Sequence, residues 1–235
     1  MRNALLTALQ QRAIDRGFEL FGVVDTLQFD KSQPLESRCG RELRDCGTAV
    51  VVGCGGAHEP SEAAVRELQD VLRTAGLRAR AVPPVRSAVS FAALGEAAGF
   101  GTVSPVIHRL LHPRYGPWVA VAGVVLVEGQ PFGPIPDASI AHRFQPCCKC
   151  ARPCVTACPT EVHDGHGGQR LDRCHDQRQA GRCASSCHVL RTCPVGADLR
   201  APATVEQLRH RRDSLRLARR HARGLWWALR RAIGL

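Results

Sequence analysis

Residues 147–194 read CCKCARPCVTACPTEVHDGHGGQRLDRCHDQRQAGRCASSCHVLRTCP. Nine of the 12 cysteines in this 235-residue chain fall inside that stretch; the others are Cys39, Cys46 and Cys54. Two runs stand out, Cys147-x2-Cys150-x3-Cys154-x3-Cys158-Pro159 and Cys174-x8-Cys183-x3-Cys187-x5-Cys193-Pro194, and each closes on Cys-Pro. Such density means disulfides, zinc or iron–sulfur. The start of the chain carries Arg12 and Asp15 where a signal peptide needs an unbroken apolar stretch. The longest apolar run, residues 118–127, is too short to span a bilayer. The expected location is therefore cytoplasmic, where clustered cysteines bind metal more often than they form disulfides.

The two runs resemble the bacterial dicluster ferredoxin pattern, in which three close cysteines serve one cluster and the Cys-Pro thiolate crosses to the other. A cubane needs four thiolates at tetrahedral corners. A short loop supplies three, and the fourth comes from elsewhere in the chain. The crossover assigns Cys147, Cys150, Cys154 and Cys193 to one 4Fe–4S cluster, and Cys174, Cys183, Cys187 and Cys158 to a second. Cys148 competes with Cys147, because Cys148, Cys154 and Cys158 keep the standard offsets. Four-cysteine zinc sites are the competing chemistry. Cys39, Cys46 and Cys54 stand apart and read as buried or idle thiols.

Outward from the cysteines, residues 1–140 alternate helical and strand patterns. Residues 2–16 form an apolar stripe closed by Gly17. Strands are expected at 18–24, 49–52, 77–82 and 118–127, the last of them central. Helices are expected at 60–75 and 87–98, and residues 25–45 read as polar and irregular. The order of elements implies an α/β layer domain. Prolines 131, 134, 136 and 146 mark a linker into a cysteine domain over 141–200. Residues 201–235 read as an amphipathic helix with Thr204 and Gln207 as a capping box and an inner stripe of Leu208, Leu215, Ala218, Ala222, Leu225 and Leu229. The whole is thus an α+β chain: an α/β layer domain, a dicluster ferredoxin-like domain and a C-terminal amphipathic helix.

The net charge of +11 sits mostly in that tail, which has nine arginines against Glu206 and Asp213. Its readings are packing on its own domain, contact with an anionic membrane or nucleic acid alongside Trp226, Trp227, Leu229 and Ile233, or docking to an acidic protein.

From residue 87 to 195 the chain resembles the epoxyqueuosine reductase and reductive dehalogenase group. The shared features are FAALGEAAGFG at 91–101, Gly116-Pro117-Trp118 entering an apolar strand, Ala157-Cys158-Pro159-Thr160, LDRC at 171–174 and Cys193-Pro194-Val195. The resemblance implies a cobalamin-binding α/β domain followed by two 4Fe–4S clusters. Two departures stand out. The family's Trp-Ile-Gly-Lys is Thr102-Val103-Ser104-Pro105 here, and the stretch that carries the reductases' catalytic Asp is Val82-Pro83-Pro84-Val85-Arg86, which has no acid. The resemblance therefore carries the clusters further than it carries the reaction, and no catalytic residue is assigned.

His108 and His112 are spaced for a helix, but Pro113 would end one, so both read as loop histidines. His163 and His166 fall in a polar loop between the runs. There is no phosphate loop or nucleophile motif. Three functions follow, in order. The first is an electron-transfer protein with two 4Fe–4S clusters and a redox partner protein or small-molecule donor. The second is a corrinoid-dependent reductase fed by those clusters. The third is a structural zinc or iron–sulfur interaction protein.

Overall fold

The computed structural model describes residues 2–56, 61–84, 87–183 and 185–232. The first part of the chain runs α1 (Arg2–Asp15), β1 (Leu20–Asp25), α2 (Thr26–Lys31), α3 (Cys39–Glu42), β2 (Cys46–Cys54), α4 (Glu62–Thr74), β3 (Ala79–Val82) and α5 (Phe91–Ala97). A hairpin, β4 (Thr102–Val103) and β5 (Leu110–Leu111), leads to β6 (Ala120–Glu128). The cysteine region holds α6 (Pro153–Thr156), α7 (Leu171–Gln179) and α8 (His188–Arg191), and α9 (Ala203–Ala232) closes the chain. The main sheet is ordered β1-β2-β6-β3, and every pair in it is antiparallel. Helices and strands alternate along the chain as expected, and the sheet they build is a small antiparallel one.

β2 is buried at all nine positions, because helices cover both faces of the sheet. Side chains alternate across a strand. Val50 and Val52 face α1 and α4, where they meet Leu9, Leu68 and Leu72, with Phe18 beside them. Ala49 and Val51 face the other way and meet Phe29, Phe91 and Leu94. Cys39 and Cys46 belong to that second core, and Cys54 is equally buried. Burial pushes the Cys39 and Cys46 thiols up, which keeps them protonated and inert.

Three expectations need correction. Residues 25–45 are not irregular throughout. The Asp25 carboxylate accepts from the Leu27 and Gln28 amides and starts α2, and Asp30 accepts from the Cys39 and Gly40 amides beneath α3. These helices are set by caps, which a search for apolar periodicity passes over. α5 starts at Phe91 rather than Ser87, because Ser90 is its N-cap and accepts from the Ala93 amide. In the tail, Thr204 lies inside α9 rather than before it. The inner stripe is also reversed. Leu208 and Leu215 are 54% and 57% exposed, whereas Glu206 and His210 are 7% and 5% exposed. The side chains of residues 223–235, including Trp226, Trp227, Leu225, Leu229 and Ile233, lie outside the described residues, as does Pro60.

Gly123 in β6 shows how closely α4 sits on the sheet. A Cβ there would stand 2.4 Å from Cγ2 of Val65. Gly123→Ala should therefore cost about 1–3 kcal/mol through overpacking. Thermal unfolding should show the loss, and adding Val65→Ala should recover part of it. A neutral Gly123→Ala would show that α4 does not hold this distance.

Candidate metal centre

The turns of residues 146–196 place the cysteines. Pro146–Cys148 is a single 3-10 turn that lifts Cys147 and Cys148 from the linker. Arg152, at φ +57°, reverses the chain into α6, which carries Cys154. Cys158 leaves that helix ahead of Pro159. Cys174 lies on α7, Cys183 follows the left-handed Gly181, Cys187 precedes α8, and Cys193 follows it.

The thiols group across the two runs. Burial pushes the Cys154 thiol up, and its neighbours Cys193, Cys147 and Cys150 push it further. Cys193 is raised by burial and by Cys147 and Cys150. Cys183 is raised by burial and then by Cys187, Cys158 and Cys174. Each group of three thus has the last cysteine of the opposite run beside it. Cys148 is exposed, with its thiol 3.5 Å from the Gln145 side-chain oxygen. Among the described residues, no three Cys, His, Asp or Glu side chains converge closely enough to hold a single ion.

Donors surround these sulfurs. Burial raises the Cys158 thiol, but the Thr160 hydroxyl and the amides of Val162, Thr160 and Glu161 outweigh it and leave the thiol below its ordinary value. The Arg152 amide donates to Cys150 Sγ at 3.3 Å. Ser104 Oγ, from the turn between β4 and β5, lies 3.3 Å from Cys147 Sγ and is itself buried. Val106, Ile107 and Leu111 of the same segment pack with Val189 and Cys193 into a third apolar core. The α/β layer and the cysteine region are thereby joined through one hairpin. Ser104 was visible in the sequence only as a departure from the family's pattern.

α9 lies over the second group on its polar side. His210 donates from Nε2 to the Cys183 carbonyl, and burial lowers its pKa, so the ring stays neutral. Arg178 donates to Ser214 Oγ at 2.8 Å, and Arg209 donates to the Trp118 carbonyl at 2.6 Å. Arg109 pairs with Asp213, and Arg191 with Glu206 at 3.4 Å. His175 stacks on His221 with centroids 4.4 Å apart. The four histidines singled out in the sequence, His108, His112, His163 and His166, lie outside the helices and named strands, as expected. His108 has φ +51° and sits 2.8 Å from the Gly167 carbonyl. His112 Nδ1 accepts from the Arg114 and Tyr115 amides. His163 is half-buried beside Gln169, and His166 is exposed.

The chain shares the fold of epoxyqueuosine reductases and reductive dehalogenases. A selenomethionine-labelled epoxyqueuosine reductase matches with a TM-score of 0.63 at 15% identity, over 88% of this chain and 69% of that one. The epoxyqueuosine reductase from Bacillus subtilis matches with a TM-score of 0.62 at 15% identity, over the same shares. A catabolic reductive dehalogenase in complex with 3-bromo-4-hydroxybenzoic acid matches with a TM-score of 0.58 at 17% identity, over 92% of this chain but 36% of that one. These neighbours are redox enzymes. No protein-family model and no curated protein matches the chain.

A corrinoid is a poor fit to the cleft where the sheet, the cysteine region and α9 meet. That cleft holds about 130 Å³. Sites for drug-sized ligands, which are smaller than a corrinoid, need roughly 300–1,000 Å³. Arg109, Asp213, His210 and Glu206 take up the space.

The Arg109–Asp213 pair makes the seam testable. Burial alone would raise Asp213, but Arg109 overrides it and holds the carboxyl below its ordinary value. The two side chains are 37% and 21% exposed. Asp213→Asn should therefore cost on the order of 1–3 kcal/mol, between the surface and fully buried cases. A depressed carboxyl stabilises fully above its unfolded pKa of about 3.9, and the contribution is lost as pH falls through the folded value. The gap between wild type and Asp213→Asn in chemical denaturation should hold above about pH 4 and close below it. A gap independent of pH would contradict the pairing.

Proposed function

We propose that this chain is an oxidoreductase-type iron–sulfur protein carrying two 4Fe–4S clusters. One would be held by Cys147, Cys150, Cys154 and Cys193, the other by Cys158, Cys174, Cys183 and Cys187. The observation that carries this reading is the crossed grouping, in which each Cys-Pro cysteine sits with the three thiols of the other run. Thiols crowded in a partly buried site are poorly placed to ionise together, and a cationic core removes that penalty.

Bound there, the clusters would supply one-electron transfer with little rearrangement of the protein. The chain's own contribution is to tune and shield. Amide and hydroxyl donors on Cys158 and Cys150 stabilise sulfur charge, which would favour the reduced, more negative state of a bound cluster. α9 covers the second site. Four thiolates would also suit zinc, and sulfide analysis separates the two.

In this reading residues 1–140 form the α/β layer domain, 141–200 the cluster domain and 201–235 a helix that ties the two. Electrons would come from a redox partner protein or a small-molecule donor in the cytoplasm. Among the described residues no helix is long and apolar enough to cross a membrane. One neighbour was solved with a tRNA stem loop. Here part of the tail's positive charge is already engaged internally, through Arg209, which weakens the case for a nucleic-acid or membrane surface there. The corrinoid-dependent reading draws on a neighbour studied for B12-dependent dehalogenation, and the 130 Å³ cleft argues against it.

Anaerobic reconstitution followed by iron and sulfide analysis should give about eight of each per chain. Bound zinc without acid-labile sulfide would overturn the proposal. Titrating cobalamin into the same holoprotein should produce no spectral change. Stoichiometric binding would restore the corrinoid-dependent reading.

A further inference from the structure

Ser104 has one polar valence left over, and a sulfur stands in front of it. Its amide donates to the Arg109 carbonyl at 2.8 Å, and its carbonyl accepts from the His108 amide at 2.9 Å. Its hydroxyl oxygen accepts from the Val106 and Ile107 amides, each at 3.2 Å. A serine hydroxyl has two acceptor lone pairs and one proton. Both lone pairs are engaged, so in the 3.3 Å contact with Cys147 Sγ the hydroxyl donates. Ser104 is 1% exposed, so bulk water does not compete for that proton.

The turn that carries Ser104 is pinned from the α/β layer. Glu96 of α5 accepts from the Thr102 hydroxyl at 2.9 Å and from the Val103 amide at 2.7 Å, which fixes β4 just ahead of Ser104. Val106 and Ile107, whose amides hold the hydroxyl oxygen, are buried in the small core with Cys193. Donor and sulfur thus come from residues 43 apart in the chain.

Hydrogen bonds to the sulfurs are among the levers on an iron–sulfur potential. A proton donated to sulfur stabilises negative charge there, and one-electron reduction adds negative charge. We propose that Ser104 is a positioning residue that raises the reduction potential of the first cluster by directing its hydroxyl at Cys147 Sγ. This role rests on the two-cluster reading above. It gives the α/β layer control over a cluster whose ligands all come from the cysteine region.

Redox titration of the reconstituted full chain, followed by electron paramagnetic resonance and preceded by iron and sulfide analysis, tests this. Wild type should show two one-electron steps. Ser104→Ala should lower one step and leave the other in place, by a roughly tenfold shift in the reduction equilibrium, which is ~59 mV for one electron. Ser104→Thr, which keeps the hydroxyl, should restore the wild-type value. Ser104→Ala also leaves two amides without their acceptor. Should that variant fail to hold iron, Ser104→Cys serves instead. A thiol still accepts but is a weak donor, so the same step should fall. Two unmoved steps in a variant that holds about eight irons, or an equal shift of both, would overturn the role of Ser104. A Ser104→Thr potential as low as that of Ser104→Ala would overturn it too. Wild type without iron would overturn the cluster reading and this role together.

Discussion

Four thiols brought together in a partly dry site repel one another's ionisation, and the architecture is arranged around that constraint. Cys154 and Cys193 meet in this way, as do Cys183 and Cys158, although each pair is separated by a long excursion of chain. Closing those loops costs conformational entropy that thiol packing alone does not repay. A metal core that favours the thiolate form would turn the same crowding into attraction. Such a core would also lock the two halves of residues 147–194 together, because neither group of four is complete within one run.

The other contacts of the region hold that crossed arrangement against the α/β layer. The β4–β5 hairpin sends Ser104 to Cys147, while Val106 and Ile107 join the small core around Cys193. From the far side α9 presses down with polar groups. His210 reaches the Cys183 carbonyl, Ser214 receives Arg178, and Asp213 receives Arg109. An apolar helix face would have nothing to pair with the carbonyls and guanidiniums exposed there. This explains why Leu208 and Leu215 point outward. It also explains the small cleft that remains, since polar side chains of fixed reach seldom fill a space completely.

The sequence was legible where one strong physical rule acts alone. β2 and β6 were readable from continuous β-branched runs, because burial on both faces leaves no polar alternation to confuse them. Spacing and the two Cys-Pro endings suggested the crossed thiol grouping, which stands as a proposal. Legibility failed where side chains answer partners distant in sequence. α2 depends on the Asp25 cap and on Asp30 reaching α3. The face α9 turns inward was misjudged, because leucine spacing says nothing about a polar neighbour. Spacing could not show that Ser104 lies beside Cys147 while Cys148 is exposed.

The central claim is the crossing of the two runs, and iron counting in paired variants tests it most directly. Cys193→Ala together with Cys147→Ala removes two ligands of one proposed cluster, so about four irons should remain. Cys193→Ala together with Cys174→Ala strikes both clusters, so essentially none should remain. The reverse pattern, with iron lost in the first pair and retained in the second, would show that each run builds its own cluster and would contradict the crossed arrangement.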